Sequence, residues 1–424
     1  MIALSIDEVR ARCPGDLRAV ADEVTGVTID SRRVERGDLF VAVGAGAAYV
    51  EEARTSGAAA TLVPDDAHAA LASLAGAVRD RSTARVVGVT GSTGKTSTKD
   101  ILAALCRPHA PTIAAESGFN NEVGLPLTLC RIEPETAIVI AEMGMRGLGQ
   151  VRALCEVARP EIGVITGIGP VHLELLGSVQ NVARAKAEIV GALPPGGVAV
   201  VPQGEPLLEL LLARRDIEIV RFGDGGDVRL ERFEPPLLVA DVAGTLVELE
   251  VPFIAHHHAQ NTLAALGAYR ALGLPLDRAG DGAPGIAFSR WRGEEHELPG
   301  GGLLINDAWN ANPVSMRAAL VYLADVSRAR RTVAVLGEMA ELGPDSPRFH
   351  REVGEAAREA GVDVLVAVGS ALAREYDADA AAPDVPSAVE LVRSLLEPGD
   401  VVLVKASRAA GLERLADALV GARV

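Results

Sequence analysis

The chain has 424 residues, 49% of them hydrophobic, and carries a formal net charge of −16. The length predicts about three domains, the apolar fraction excludes a disordered chain, and the charge argues against nucleic acid or an anionic membrane as the main partner. An anionic ligand must then be held by local features. Cys13, Cys106, Cys130 and Cys155 show no metal-ligand spacing and read as reduced thiols. Asp7 and Glu8 interrupt the first apolar stretch, against a signal peptide. No apolar run approaches the length of a membrane span, so the expected location is cytoplasmic.

Residues 1–83 read as a small α/β block, with short strands over 26–29 and 39–43 and turns at Asp30-Ser31-Arg32 and Gly37-Asp38. The second block, 84–298, alternates predicted strands (85–90, 137–142, 162–167, 197–201) with helical stretches, the pattern of a largely parallel sheet covered on both faces. Beyond residue 215 it becomes short and β-rich, then predicts a helix over roughly 259–272 and a polar, glycine-rich loop over Asp277–Pro284. The third block, 299–424, starts a new series, with strands over 303–307, 332–336, 364–368 and 401–404. It reads as a separate Rossmann-like domain without a phosphate loop. The fold class is therefore α/β in three domains, with a cleft between them that must close for chemistry.

The stretch Gly91-Ser92-Thr93-Gly94-Lys95-Thr96 lies between the strand 85–90 and a helix beginning at Ser97. That is the setting of a phosphate-binding loop, where backbone N–H groups and a helix N-terminus face an anion. Val89 occupies the first glycine of the strict eight-residue pattern, leaving the shorter Gly-x-x-Gly-Lys-Thr form. Lys95 is placed to meet phosphate and Thr96 to hold Mg²⁺. The strand 137–142 ends in Glu142, and strand ends line the ligand crevice of an open parallel sheet. Glu142 is thus placed beside a nucleotide's Mg²⁺, the plain alternative being a solvated strand-end carboxylate. His172 follows the next strand along the same edge, although a lone histidine is commonly structural.

Lys186 lies on a helix beginning near Ser178. The chain has four lysines, at 95, 99, 186 and 405, against 37 arginines, so arginine serves wherever positive charge suffices. Lysine differs in being able to lose its proton and act as a nucleophile. A neutral Lys186 can take up carbon dioxide to form a carbamate, an anionic metal ligand. Asn120 and Asn121 open a polar turn before an apolar helix and read as substrate or phosphate contacts. His256-His257-His258 reads as a helix entry, because adjacent helical residues cannot converge on one ion.

Taken together, these stretches resemble the Mur ligase superfamily, the ATP-dependent amide-forming enzymes of peptidoglycan precursor synthesis. The motifs are 91–96, Gly118–Pro126, Ala141–Gly144, Gly167–Glu174, Ala185–Glu188, Asp307–Pro313, Leu336–Gly343 and Val404–Arg408. The resemblance implies a UDP-substrate domain (1–83), a central ATP-binding domain (84–298) and a C-terminal Rossmann-like ligase domain (299–424). It implies that ATP converts a peptide carboxylate to an acyl phosphate, which an amine then attacks. The Asn120-Asn121 pair and 336–343 point to the branch that joins D-alanyl-D-alanine to UDP-N-acetylmuramoyl-tripeptide.

By motif matching, Gly91, Ser92, Thr93, Gly94, Lys95, Thr96 and Ser97 would hold the ATP phosphates. Thr96 and Glu142 would hold one Mg²⁺, and His172 with carbamylated Lys186 the second. Asn261, Arg292, Asp307 and Asn310 would contact ATP from the hinge and C-terminal side, and Ser31 and Arg32 the UDP moiety. A monomer is expected. Trp309, Asn306 and Ala406 stand where relatives carry tyrosine, aspartate and glycine, and the first block lacks the usual Asp-Gly-His stretch and is shortened around 44–49. The altered first block keeps a folylpolyglutamate synthase-like ligase in play, and the competitor from another class is a non-catalytic nucleotide-binding module, against which the spread of motif residues over both α/β blocks speaks.

Overall fold

The computed structural model describes residues 1–369, 371 and 373–421. Among them the chain forms sheets of four, nine and six strands and a two-stranded ribbon, in an α/β arrangement. The four-stranded sheet pairs Gly15–Ala19, Ala60–Pro64, Asp38–Val41 and Gly26–Thr28, and packs with the helix Ala67–Asp80.

The nine-stranded sheet positions the site. Its strand Arg85–Thr90, third from one edge, runs parallel to Ile138–Glu142 on one side and Ile162–Ile165 on the other. The chain therefore leaves this strand toward the near edge and later returns to its opposite side, which opens a crevice at the strands' carboxyl ends. Val86, Val87 and Val89 are fully buried, as expected of a strand covered on both faces. Glu218–Phe222 continues the parallel order, and Val228–Glu234, Leu237–Val242 and Thr245–Glu250 finish it as an antiparallel meander.

The helix Lys95–Cys106 packs on this sheet against the helix His256–Ala271, whose Leu263, Leu266 and Tyr269 are completely buried. Each such apolar side chain contributes about 1.5–3 kcal/mol. The 162–167 strand ends earlier than expected, at Ile165, because Thr166 turns to hydrogen-bond the Thr93 carbonyl. Residues Leu276–Gly285 are not the open loop the sequence predicts. They form short 3₁₀ turns with Ala279 and Ala283 buried, and Gly282 lies where a Cβ would stand 2.3 Å from the Ala104 carbonyl oxygen.

The six-stranded sheet runs Glu294–Leu298, Gly302–Asp307, Val401–Lys405, Thr332–Gly337, Val364–Val368 and Ala380–Ala382. Its first pair is antiparallel and the rest parallel. Glu294–Leu298 lies before the expected start of the third block at residue 299, so this sheet takes its edge from the linker. Its charged sequence, Glu-Glu-His-Glu-Leu, suits an edge strand and hides the apolar alternation that would mark it. Ala406 is not in the left-handed region, and its methyl group packs over Gly337, where a Cβ would approach to 2.7 Å.

Candidate active site

Gly91 and Gly94 have φ of +152° and +78°, conformations suited to glycine. A Cβ on Gly94 would lie 2.3 Å from Asn261 Oδ1, so the turn is pressed against the helix His256–Ala271. Lys95 begins the following helix and donates from Nζ to the Gly91 carbonyl at 2.8 Å. Burial lowers its pKa, against the opposing pull of Glu142.

Glu142 is 1% exposed at the end of its strand. Its Oε1 accepts from Asn120 Nδ2 at 2.8 Å, while Oε2 is buried without a partner. Burial pushes its carboxyl pKa up, but Lys95, Arg292, the Asn120 hydrogen bond and Lys99 outweigh that and hold it below the ordinary value. Arg292 donates to Thr96 Oγ1 at 2.9 Å. An orphaned carboxylate oxygen and a threonine hydroxyl lining one cleft are hard-oxygen donors of the kind that suits Mg²⁺. Among the described residues no group of three His, Cys, Asp or Glu side chains could hold a metal alone.

His172 sits in a left-handed conformation, φ 53°, with Nδ1 against the Glu341 carboxylate. Glu341, itself at φ 63°, also meets Arg146 Nε at 3.3 Å and accepts from the Glu174 N–H at 3.2 Å. These contacts join the C-terminal sheet's loop to the central sheet's edge. Burial lowers the His172 pKa and Glu341 opposes it. Lys186 is 2% exposed, and no hydrogen bond or ion pair to its Nζ is found among the described residues. Burial, helped by Lys95, holds its pKa well below the usual lysine value, which favours the neutral amine that carbamylation needs.

From the C-terminal side, Asp307 Oδ2 lies 2.5 Å from Lys405 Nζ, which also donates to the Asn310 carbonyl at 2.9 Å. Trp309 and Trp291 stack with centroids 5.8 Å apart, and the Arg408 guanidinium lies 4.6 Å from the Trp291 ring. A cleft of about 1070 Å³ gathers Ser92 to Ser97, Asn120, Asn121, Glu142, His172, Lys186, Asn261, Arg292, Asp307 and Asn310. Gly91 lies just behind it, through its bond to Lys95.

Ser31 and Arg32 are not among the residues lining that cleft: Ser31 Oγ donates to Glu52 Oε2 at 3.0 Å, and Arg32 pairs with Asp30. Asn121 uses its Oδ1 to accept from the Val123 and Gly124 N–H groups, capping the next helix. His256 to His258 open a helix as expected, with His258 stacked on Phe288 at 4.0 Å. Trp291, Glu341, Lys405 and Arg408 were not singled out individually from the sequence. The scarcity of lysine that marked Lys186 applies equally to Lys405, whereas nothing local marks Trp291.

The Mur ligase middle-domain model matches residues 89–269, and the Mur ligase glutamate-ligase-domain model matches 291–408. The UDP-N-acetylmuramoyl-tripeptide–D-alanyl-D-alanine ligase of Mycobacterium tuberculosis is 34% identical, over 99% of this chain and 98% of that protein. A crystal structure of MurF from Acinetobacter baumannii superposes with a TM-score of 0.86 at 28% identity, covering 99% of each chain. The Thermotoga maritima MurF structure in complex with ADP gives 0.81 at 26% identity, covering 93% of this chain and 97% of that one. The chain belongs to the Mur ligase family, in its MurF branch.

Proposed function

We propose that this chain joins D-alanyl-D-alanine to UDP-N-acetylmuramoyl-tripeptide, with cleavage of ATP to ADP and phosphate, in cytoplasmic peptidoglycan precursor synthesis. The observation that carries this reading is the meeting of the phosphate loop, Glu142, His172, Lys186 and Arg292 with Asp307 and Asn310 of the third sheet in one cleft. A simple nucleotide binder needs the loop alone. The first unit (1–83) would hold the UDP moiety through Ser31 and Arg32, the central unit (84–298) ATP, and the third (299–424), the Rossmann-like ligase domain, would meet ATP from the other side through Asp307 and Asn310. The enzyme works as a monomer.

A carboxylate is a poor electrophile, so its oxygen first attacks the γ-phosphorus of ATP and ADP departs. The dipeptide's amine then attacks the acyl carbon, loses a proton as the C–N bond forms, and phosphate leaves. The protein's task is positioning and charge neutralisation. Lys95 and the N–H groups of the 91–96 turn hold the phosphates, and Arg292 supplies a second cation from the linker. Asn261, Asp307 and Asn310 orient the nucleotide. Thr96 and Glu142 would hold one Mg²⁺, and His172 with carbamylated Lys186 another; bound Mg²⁺ neutralises charge on the transferring phosphoryl group.

The test is phosphate release from ATP and Mg²⁺ in the presence of UDP-N-acetylmuramoyl-tripeptide, with and without D-alanyl-D-alanine. Release that requires both substrates and vanishes in Lys95→Ala supports the assignment. Release indifferent to the dipeptide, from folded protein that binds ATP, overturns it and favours a ligase with another acceptor.

A further inference from the structure

Three of the chain's lysines have an evident place in the cleft. The fourth, Lys99, does not reach it, yet it is 2% exposed, a costly position for a charge unless it is paired. It lies one helical turn beyond Lys95 on the helix that follows the phosphate loop. Its Nζ donates to the Ala115 carbonyl at 2.8 Å and lies 2.6 Å from Asp100 Oδ1. The other carboxylate oxygen of Asp100 accepts both the backbone N–H and the hydroxyl of Ser289, each at 2.9 Å. Ser289 is 189 positions away in sequence, in the linker between the central and third sheets.

Each arm leads to the phosphoryl-transfer centre. From Ala115 the chain runs a few residues to Asn120, which holds Glu142 Oε1. From Ser289 it runs three residues to Arg292, which holds Thr96 Oγ1. Arg292 comes from outside the central sheet, so its guanidinium is only as well placed as the linker that carries it. Asp100 gives the linker a polar anchor three residues before Arg292, added to the packing of Gly282 on Ala104 of the same helix, and the charge that steadies Asp100 is Lys99.

We propose that Lys99 and Asp100 are positioning residues for phosphoryl transfer: Asp100 anchors the linker that presents Arg292, and Lys99 ties that anchor to the loop that presents Asn120. The proposal rests on the reading of Arg292 as a ligand of the transferring phosphate. One carboxylate oxygen on the helix, accepting both the N–H and the hydroxyl of Ser289, fixes the linker's position there. Arginine fits the presented end because its fork meets the Thr96 hydroxyl while leaving further N–H groups for phosphate. A displaced linker leaves a part-buried carboxylate short of two donors.

Phosphate release by the full-length enzyme, in a double-mutant cycle of Asp100→Ala with Arg292→Ala, tests the proposal. Displacing a catalytic cation by an ångström costs on the order of 100-fold in rate, so Asp100→Ala should lower kcat by about 10- to 100-fold. The KM for UDP-N-acetylmuramoyl-tripeptide should hold, and Asp100→Asn, which keeps an acceptor for Ser289, should recover part of the loss. In the Arg292→Ala background the same Asp100→Ala change should cost less than about twofold, because its means of action is already gone. An equal fold-loss in both backgrounds means a general structural role and overturns the proposal while leaving the Arg292 assignment standing. Full turnover in Arg292→Ala alone overturns both. Should Asp100→Ala not fold, Ser289→Ala removes one bond from the linker side. Its smaller loss must likewise disappear in the Arg292→Ala background, and persistence there refutes the anchor.

Discussion

Gly94→Ala separates the conformational demand of the phosphate loop from its contact with the neighbouring helix. At φ +78° an alanine pays the left-handed penalty, about 1–2 kcal/mol. For a unit of this size that lowers the melting temperature by roughly 2–8 °C. The new Cβ would also stand 2.3 Å from Asn261 Oδ1, whereas ordinary contact begins near 3.4 Å, so the carboxamide must retreat by about 1 Å. A side-chain end can do so cheaply, and little further stability is lost. ATP orientation, however, depends on Asn261 in the reading above, and an ångström of displacement costs up to about 100-fold in turnover. The signature is a small thermal shift with a large fall in kcat, read by calorimetry and by phosphate release. Asn261→Ala removes the obstructing atom, so in the double variant the melting shifts should be nearly additive, whereas the losses of turnover, both acting through Asn261, should multiply to less than the product of the two singles. Turnover of Gly94→Ala within about twofold of the parent, or losses of turnover that multiply in full in the double variant, refutes this account of the loop.

Lys186→Ala should abolish turnover, and short carboxylates should restore part of it by replacing the carbamate. Labelled bicarbonate should give a carbamate signal in the parent by NMR and none in the variant. Glu341→Gln removes the group that raises the His172 pKa, so the imidazole should titrate at still lower pH by NMR; an unchanged titration contradicts the contact. His350 is buried and neutral, with Nε2 accepting from the Met339 N–H at 3.0 Å and Nδ1 donating to the Ser346 carbonyl at 2.7 Å. Burial holds its pKa below 6.5. Both states are neutral above that value, whereas below it the unfolded chain takes up the proton first. Stability should therefore fall as pH drops from 6.5 toward the lowered folded value, and His350→Leu should flatten that part of a melting-temperature profile.

The phosphate loop was legible because its signal is local: an apolar run, two glycines and a lysine at fixed spacing. Glu142 and His172 followed from one rule about strand ends, and Lys186 from composition. The contacts that complete the cleft were not legible, because they join residues far apart in the chain. Glu341 meets His172 across 169 positions, and nothing local to either stretch pairs the two. Trp291 occupies a left-handed conformation, φ 60°, that no propensity would assign to it. The edge strand Glu294–Leu298 escaped because its pairing relies on backbone bonds to Gly302–Asp307 rather than on an apolar face. The turns over Leu276–Gly285 were hidden by composition: glycine and proline usually signal a loop, but here glycine permits a close approach to the phosphate-loop helix.

Lys99, Lys186 and Lys405 are each 2% exposed, and Lys95 opens only into the cleft. The exterior therefore meets solvent with arginine alone among its long basic side chains, and offers amine-directed reagents almost nothing. An acylating probe or lysine cross-linker has to enter through the nucleotide cleft to find a side-chain target. The extent of labelling then measures how often the cleft stands open, and protection by added nucleotide reports its occupancy without any engineered tag.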